Sequence, residues 1–146
     1  MRLILLTLIF LGSFLSTHAA EGKIVKVLPF FLDHAGQIAK SPSLFDRDAY
    51  QAYLRAHTNE VSGLRYDVQC KADEKLKLRL ELRSTGTDSK PKIKTIESAV
   101  ASGSFNNWTE VKFTGDDYKN FGAIVAWRAT LWNGDKQLSE QKSFLW

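Results

Sequence analysis

Cysteine is almost absent from this chain: among 146 residues only Cys70 carries a thiol. One cysteine excludes an intramolecular disulfide, so stability has to come from packing. Charge of one sign is not concentrated either. Twenty Lys and Arg stand against sixteen Asp and Glu, a net of +4. No basic stripe carries a recognition motif, which argues against nucleic acid as a partner. The chain also lacks a Ser-His-Asp elbow, a phosphate loop and an HExxH pair. Apart from His18 near the N-terminus, the histidines are His34 and His57, which lack ligand spacing. No catalytic or metal-binding residue and no cofactor is assigned.

A long apolar run is missing as well. Leu3–Phe14 is uncharged and follows Arg2, but a span of the hydrocarbon core needs about 20 apolar residues. No basic stop-transfer cluster follows. Ser16-Thr17-His18-Ala19-Ala20 supplies small residues for a signal peptidase. Cleavage after Ala19 is favoured over cleavage after Ala20, because it places Thr17 rather than the bulkier His18 at the −3 position. No cysteine at that site offers a lipid attachment point. Residues 1–20 read as a leader and 21–146 as one domain, exported to the periplasm or the cell exterior, with no stable membrane span.

What the mature chain does have is alternation. Leu64, Tyr66, Val68 and Cys70 alternate with Arg65, Asp67, Gln69 and Lys71. Leu76, Leu78, Leu80 and Leu82 alternate with Lys77, Arg79, Glu81 and Arg83. Period two marks strands with one face buried. A three-residue loop at Ala72-Asp73-Glu74 would make the two strands a hairpin, setting Arg65 opposite Glu81 and Asp67 opposite Arg79. Cys70 falls on the apolar side and reads as an inert core residue. The outer side collects Arg65, Lys71, Lys75, Lys77, Arg79 and Arg83, interleaved with acids, and reads as a solvated face.

Five further strands are predicted. Lys23–Leu32 contains Pro29, which cannot donate to a ladder, so it is an edge strand or bends there. Ile93–Val100, Trp108–Thr114, Ala123–Trp132 and Gln137–Trp146 complete the set, with Asn133-Gly134-Asp135 a hairpin turn between the last two. Ser43-Leu44-Phe45-Asp46 has capping-box spacing. Behind it Phe45, Ala49, Ala52, Tyr53 and Ala56 form a helical stripe expected to pack against the domain, ended by an Asn59–Gly63 loop. Asp46 and Asp48 suit the first turn of that helix. Asp116 and Asp117 suit a turn beside Gly115. The fold class is mainly β: a two-layer immunoglobulin-like sandwich of about seven strands, with one short helix between the first and second.

Gly103-Ser104-Phe105-Asn106-Asn107-Trp108 resembles the GSFNNW segment of glycogen-binding modules, themselves immunoglobulin-like. The resemblance covers six residues and implies that Trp108 stacks on a sugar. Trp132, ahead of the Asn-Gly turn, is a second ligand candidate, although the family's second aromatic platform does not fall at a comparable position. The competing reading of Trp108 is core packing, which the average burial of tryptophan favours. Asn107-Trp108-Thr109 also fits the glycosylation sequon.

Most of the mature chain is similar to small exported bacterial proteins of uncharacterised function. The likeness lies in Ser41–Phe45, Arg47–Arg55, Ser62–Val68 and Gln141–Trp146, and it implies no activity. Three readings follow: a non-catalytic module binding another envelope protein, a polysaccharide-binding module using Trp108 and Trp132, or a hydrolase pairing a carboxylate with His34 or His57. The oligomeric state is not legible.

Overall fold

A computed structural model describes residues 19–86 and 90–146, the side chains of 104–106 apart. Most of the leader-like segment and the centre of the loop after Ser84 lie outside the described residues. The elements run β1 (Gly22–Asp33), α1 (Leu44–Ala56), a 3-10 turn (Thr58–Glu60), β2 (Val61–Ala72), β3 (Leu76–Ser84), β4 (Lys92–Val100), β5 (Gly103–Thr114), α2 (Gly115–Phe121), β6 (Ile124–Asn133) and β7 (Lys136–Lys142). All strand pairs are antiparallel. One sheet has the order β1-β2-β5 and the other β4-β3-β6-β7. This is an immunoglobulin-like sandwich with its helix between the first two strands.

The apolar alternation builds the core as the sequence implies. Tyr66, Val68 and Cys70 on β2 and Leu78, Leu80 and Leu82 on β3 are buried in one cluster with Val100, Val111, Phe113, Ala129 and Leu131. Phe113 meets Phe121 of α2 edge-on at 5.3 Å, so α2 caps the sandwich. A helix there replaces the plain turn read at Asp116-Asp117.

The predicted β2–β3 hairpin does not form. β2 pairs with β1 and β5, whereas β3 pairs with β4 and β6. The Asp73–Lys75 link carries the chain from one sheet to the other. Both strands therefore sit inside their own sheets, and their apolar faces meet across the sandwich. Parity along each strand is the same in either arrangement, so alternation alone does not distinguish them. The link also lacks the Asn-Gly or Gly-X pair that tight hairpins need. Between β6 and β7, where Gly134 takes φ +55°, the hairpin is present.

The charges regroup accordingly. Arg65 pairs with Asp67 (2.6 Å) and Glu110 (2.8 Å), Arg79 with Glu97 (3.0 Å), and Arg128 with Glu81 (2.7 Å). The basic outer face is thus split between two sheets.

β1 is an edge strand, one of the two outcomes Pro29 allows, and side chains occupy its free edge near both ends. At one end Ser139 Oγ accepts from the Ile24 N–H (3.1 Å), and Gln141 Nε2 donates to the carbonyls of Ile24 (3.1 Å) and Val25 (3.2 Å). At the other end the Gln51 side chain copies a neighbouring strand. Its Oε1 accepts from the Phe31 N–H (2.7 Å) while its Nε2 donates to the Phe31 carbonyl (3.0 Å). Side chains that occupy an edge in this way block strand addition.

Candidate functional site

Helix α1 starts where the sequence places it. Ser43 is the N-cap, its Oγ accepting from the Asp46 N–H at 3.4 Å. Its orientation is the reverse of the expected one. Leu54 and Gln51 are buried and Arg47 and Tyr50 half-buried, whereas Phe45, Ala49, Ala52, Tyr53 and Ala56 face outward. Phe45 is 82% exposed and Leu44 68%.

Polar anchors explain the inversion. Gln51 is fixed to β1 and also donates to the Ile38 carbonyl (2.8 Å). Tyr50 donates its hydroxyl to Asp33 Oδ2 (2.8 Å), and the Arg47 guanidinium lies 5.1 Å from the Phe30 ring centre. Asp33, at the end of β1, is the hub. Its Oδ1 accepts from the amides of Ala35 (2.9 Å) and Gln37 (2.8 Å), and its Oδ2 also accepts from Lys40 Nζ (2.7 Å). Burial pushes this carboxyl up. Lys40, the Gln37 amide and Tyr50 outweigh that and hold it well below the ordinary carboxylate range.

The outward face is also ordered. Tyr53 stacks on His57 at 4.1 Å and donates to Glu60 Oε1 (2.5 Å). It therefore presents a pre-set surface.

The two candidate tryptophans stand on opposite outer faces of the sandwich. Trp108 lies mid-strand on β5, opposite Gln69, and is 43% exposed. That overturns its expected core packing. β5 begins at Gly103, before the expected start, so the GSFNNW segment is strand, although the side chains of 104–106 lie outside the described residues. Trp132 is half-buried on the other sheet. The Arg79 guanidinium covers its ring at 4.7 Å, and its Nε1–H donates to Thr130 Oγ1 (2.8 Å). The structure does not bring the two indoles together.

Beyond Lys142 the chain leaves β7 and folds back on this second face. Trp146 lies under Arg128 (4.8 Å) and Arg83 (5.5 Å), and Arg83 donates to the Leu145 carbonyl. Alternation gave no sign of this contact, because it joins residues from three separate segments.

The remaining candidates do not converge. His34 points Nε2 at the Asn59 carbonyl (3.1 Å), and His57 points Nδ1 at the Tyr53 carbonyl (2.9 Å). Cys70 is fully buried, and desolvation pushes its thiol up to about 11. A cleft of about 620 Å³ is lined by Ala20, Gly22, Lys23, Lys71, Lys136 and Leu138, with others. A second, of about 470 Å³, holds Lys92, Lys94, Asp116 and Asp117 among its lining, and a Lys94–Asp117 ion pair (2.6 Å) ties its sides together. No histidine lines either cleft. Among the described residues no group of three or more His, Cys, Asp or Glu side chains is placed to hold a metal ion.

No family model matches the chain, and no curated protein or solved structure matches it. Any functional reading has to come from the molecule's own surfaces. Among the described residues, only α1 sets several large apolar side chains toward solvent on one helix or strand. No helix among the described residues is long and apolar enough to cross a membrane.

Proposed function

We propose that this chain is an exported, non-catalytic β-sandwich module that binds another protein through the outward face of α1. The carrying observation is the inversion of the helix. Its more apolar stripe faces solvent while hydrogen bonds hold its other side to β1. Exposed apolar patches with a polar rim mark interaction sites. Docking on the β1 edge is disfavoured, because the side chains of Ser139, Gln141 and Gln51 occupy it near both ends. Export to the periplasm or beyond, by way of the leader-like residues 1–20, belongs to the same reading, as does the likeness to exported bacterial proteins.

A photoreactive amino acid at position 52 tests the proposal in the producing cell. Irradiation should give a protein adduct there, whereas the same probe at Thr95, exposed on β4, should give none. Equal yields at the two positions would remove α1 from the account.

The exposure of Trp108 favours a second reading, a polysaccharide-binding surface. Under it, the wild-type protein is retarded in a glycogen affinity gel and Trp108→Ala migrates freely. Equal mobility of the two proteins across glycogen and cell-wall polysaccharides eliminates it.

A further inference from the structure

The outward stripe of α1 has the pattern of a helix–helix seam. Phe45, Ala49, Ala52 and Ala56 are spaced by four, three and four residues, the interval of alternating core positions in paired helices. The residues that bury on the domain, Arg47, Tyr50, Gln51 and Leu54, lie on the opposite side of the helix at 3.6 residues per turn. The seam therefore points directly away from the sandwich, and a second helix has room to approach it.

We infer that the partner is a second copy of this chain, its α1 packed antiparallel across a two-fold axis between Tyr50 and Gln51. This rests on the docking surface proposed above and names its occupant. Two observations select a copy of the same chain. The first is size complementarity under that axis. Phe45 of one copy meets the partner's Ala56, and Ala49 meets the partner's Ala52, so large faces small and the backbones approach closely. The second is charge. On one flank of the seam stand Asp48, whose side chain is 71% exposed, and the exposed Arg55. Antiparallel pairing brings Asp48 of each copy to the partner's Arg55, twice over. The other flank sets Asp46 beside the ring of the partner's Tyr53, whose hydroxyl is held by Glu60.

A parallel pair would instead turn this flank toward the partner's Asp46 and Tyr53, so that Asp48 and Arg55 would lose each other as partners. Antiparallel pairing also opposes the two helix dipoles, with Asp46 in the first turn and Arg55 in the last of each helix. Each Asp48 already has Arg47 at 3.0 Å in its own chain. A carboxylate has acceptor sites for a second cation.

The seam is short. Thirteen helical residues span about 20 Å at 1.5 Å per residue, so the contact belongs with small, reversible interfaces. Self-association is expected at about micromolar concentrations.

Sedimentation equilibrium on the purified protein tests this, with circular dichroism confirming that each variant is folded. The wild type should pass from monomer to dimer with concentration, and Ala52→Glu should remain monomeric. Asp48→Arg should raise the dissociation constant about tenfold, because both symmetric pairs turn repulsive. Arg55→Asp should do the same. The double variant, with the charges exchanged, should return to within about threefold of the wild type, which a merely structural role for either residue would not produce. A monomer at every concentration, a dimer indifferent to Ala52→Glu, or a double variant as weak as the singles overturns the inference. A monomeric chain that still forms an adduct with a different protein through position 52 rejects self-pairing and keeps the docking surface. A monomer with no adduct rejects both.

Discussion

Leu80→Ala should lower the unfolding free energy by about 3–5 kcal/mol. Leu80 is fully buried on β3, paired with Ile96 on one side and Ala129 on the other. The strand is held by ladders along both edges, and its inward neighbours Leu78 and Leu82 are fully buried too. Such a site has little freedom to close over a cavity, and incomplete collapse places leucine truncations in the upper part of their range. Ile93→Ala, on an exposed position of β4, is the control and should change stability by about 0.5 kcal/mol or less. Urea denaturation provides the comparison, read as a shifted midpoint at constant slope. Similar midpoints for the two variants would mean that β3 is not the centre of the core.

The same residue shows what the sequence could and could not convey. Leu76, Leu78, Leu80 and Leu82 announce a strand with one buried face, and the fold class follows from seven such segments. Their sheet partners are a different matter. Inward parity is satisfied equally by a neighbour in the same sheet and by one across the sandwich, so alternation is compatible with a β2–β3 hairpin although the link crosses between layers. The charges offered no correction, since Arg65 and Asp67 can pair along one strand as well as across two.

Helix α1 exposes a similar limit. Its extent and N-cap were legible because Ser43 and the three- and four-residue spacing are local features. Which stripe faces inward was not, since apolarity ranked Phe45, Ala49 and Ala52 above Tyr50 and Gln51. Hydrogen bonds from Gln51 and Tyr50 to β1 decided the orientation, and their partners lie 20 and 17 residues away. The candidate site is therefore the part of the molecule where sequence reasoning misread the facing. Conflicts of that kind are expected at functional surfaces, where a local preference is overridden.

The anchor of that helix gives the second large effect. Asp33→Asn should destabilise the protein at neutral pH by about 2–3 kcal/mol. The amide keeps the shape of the carboxylate, but its Nδ2 is a donor facing one of two donor pairs, the amides of Ala35 and Gln37 or the Lys40–Tyr50 pair. The pH dependence follows from the direction of the Asp33 shift. Its folded carboxyl titrates below the unfolded value of about 3.9, so its stabilisation is fully present above pH ~4. It is lost as the pH falls from there through the lower folded value. Glu97, held low by Arg79 and Lys77, and Glu110, held low by Lys112 and Arg65, titrate on the same acid side in both proteins. The difference between wild type and variant therefore isolates Asp33. That difference should be widest near pH 6 and should shrink from about pH 4 toward pH 2, because the unfolded carboxyl takes up its proton there while the folded one still resists protonation. A gap that stays constant over this range would mean that Asp33 acts through shape alone, and that the Lys40 and Tyr50 contacts do not hold α1 in place through its charge.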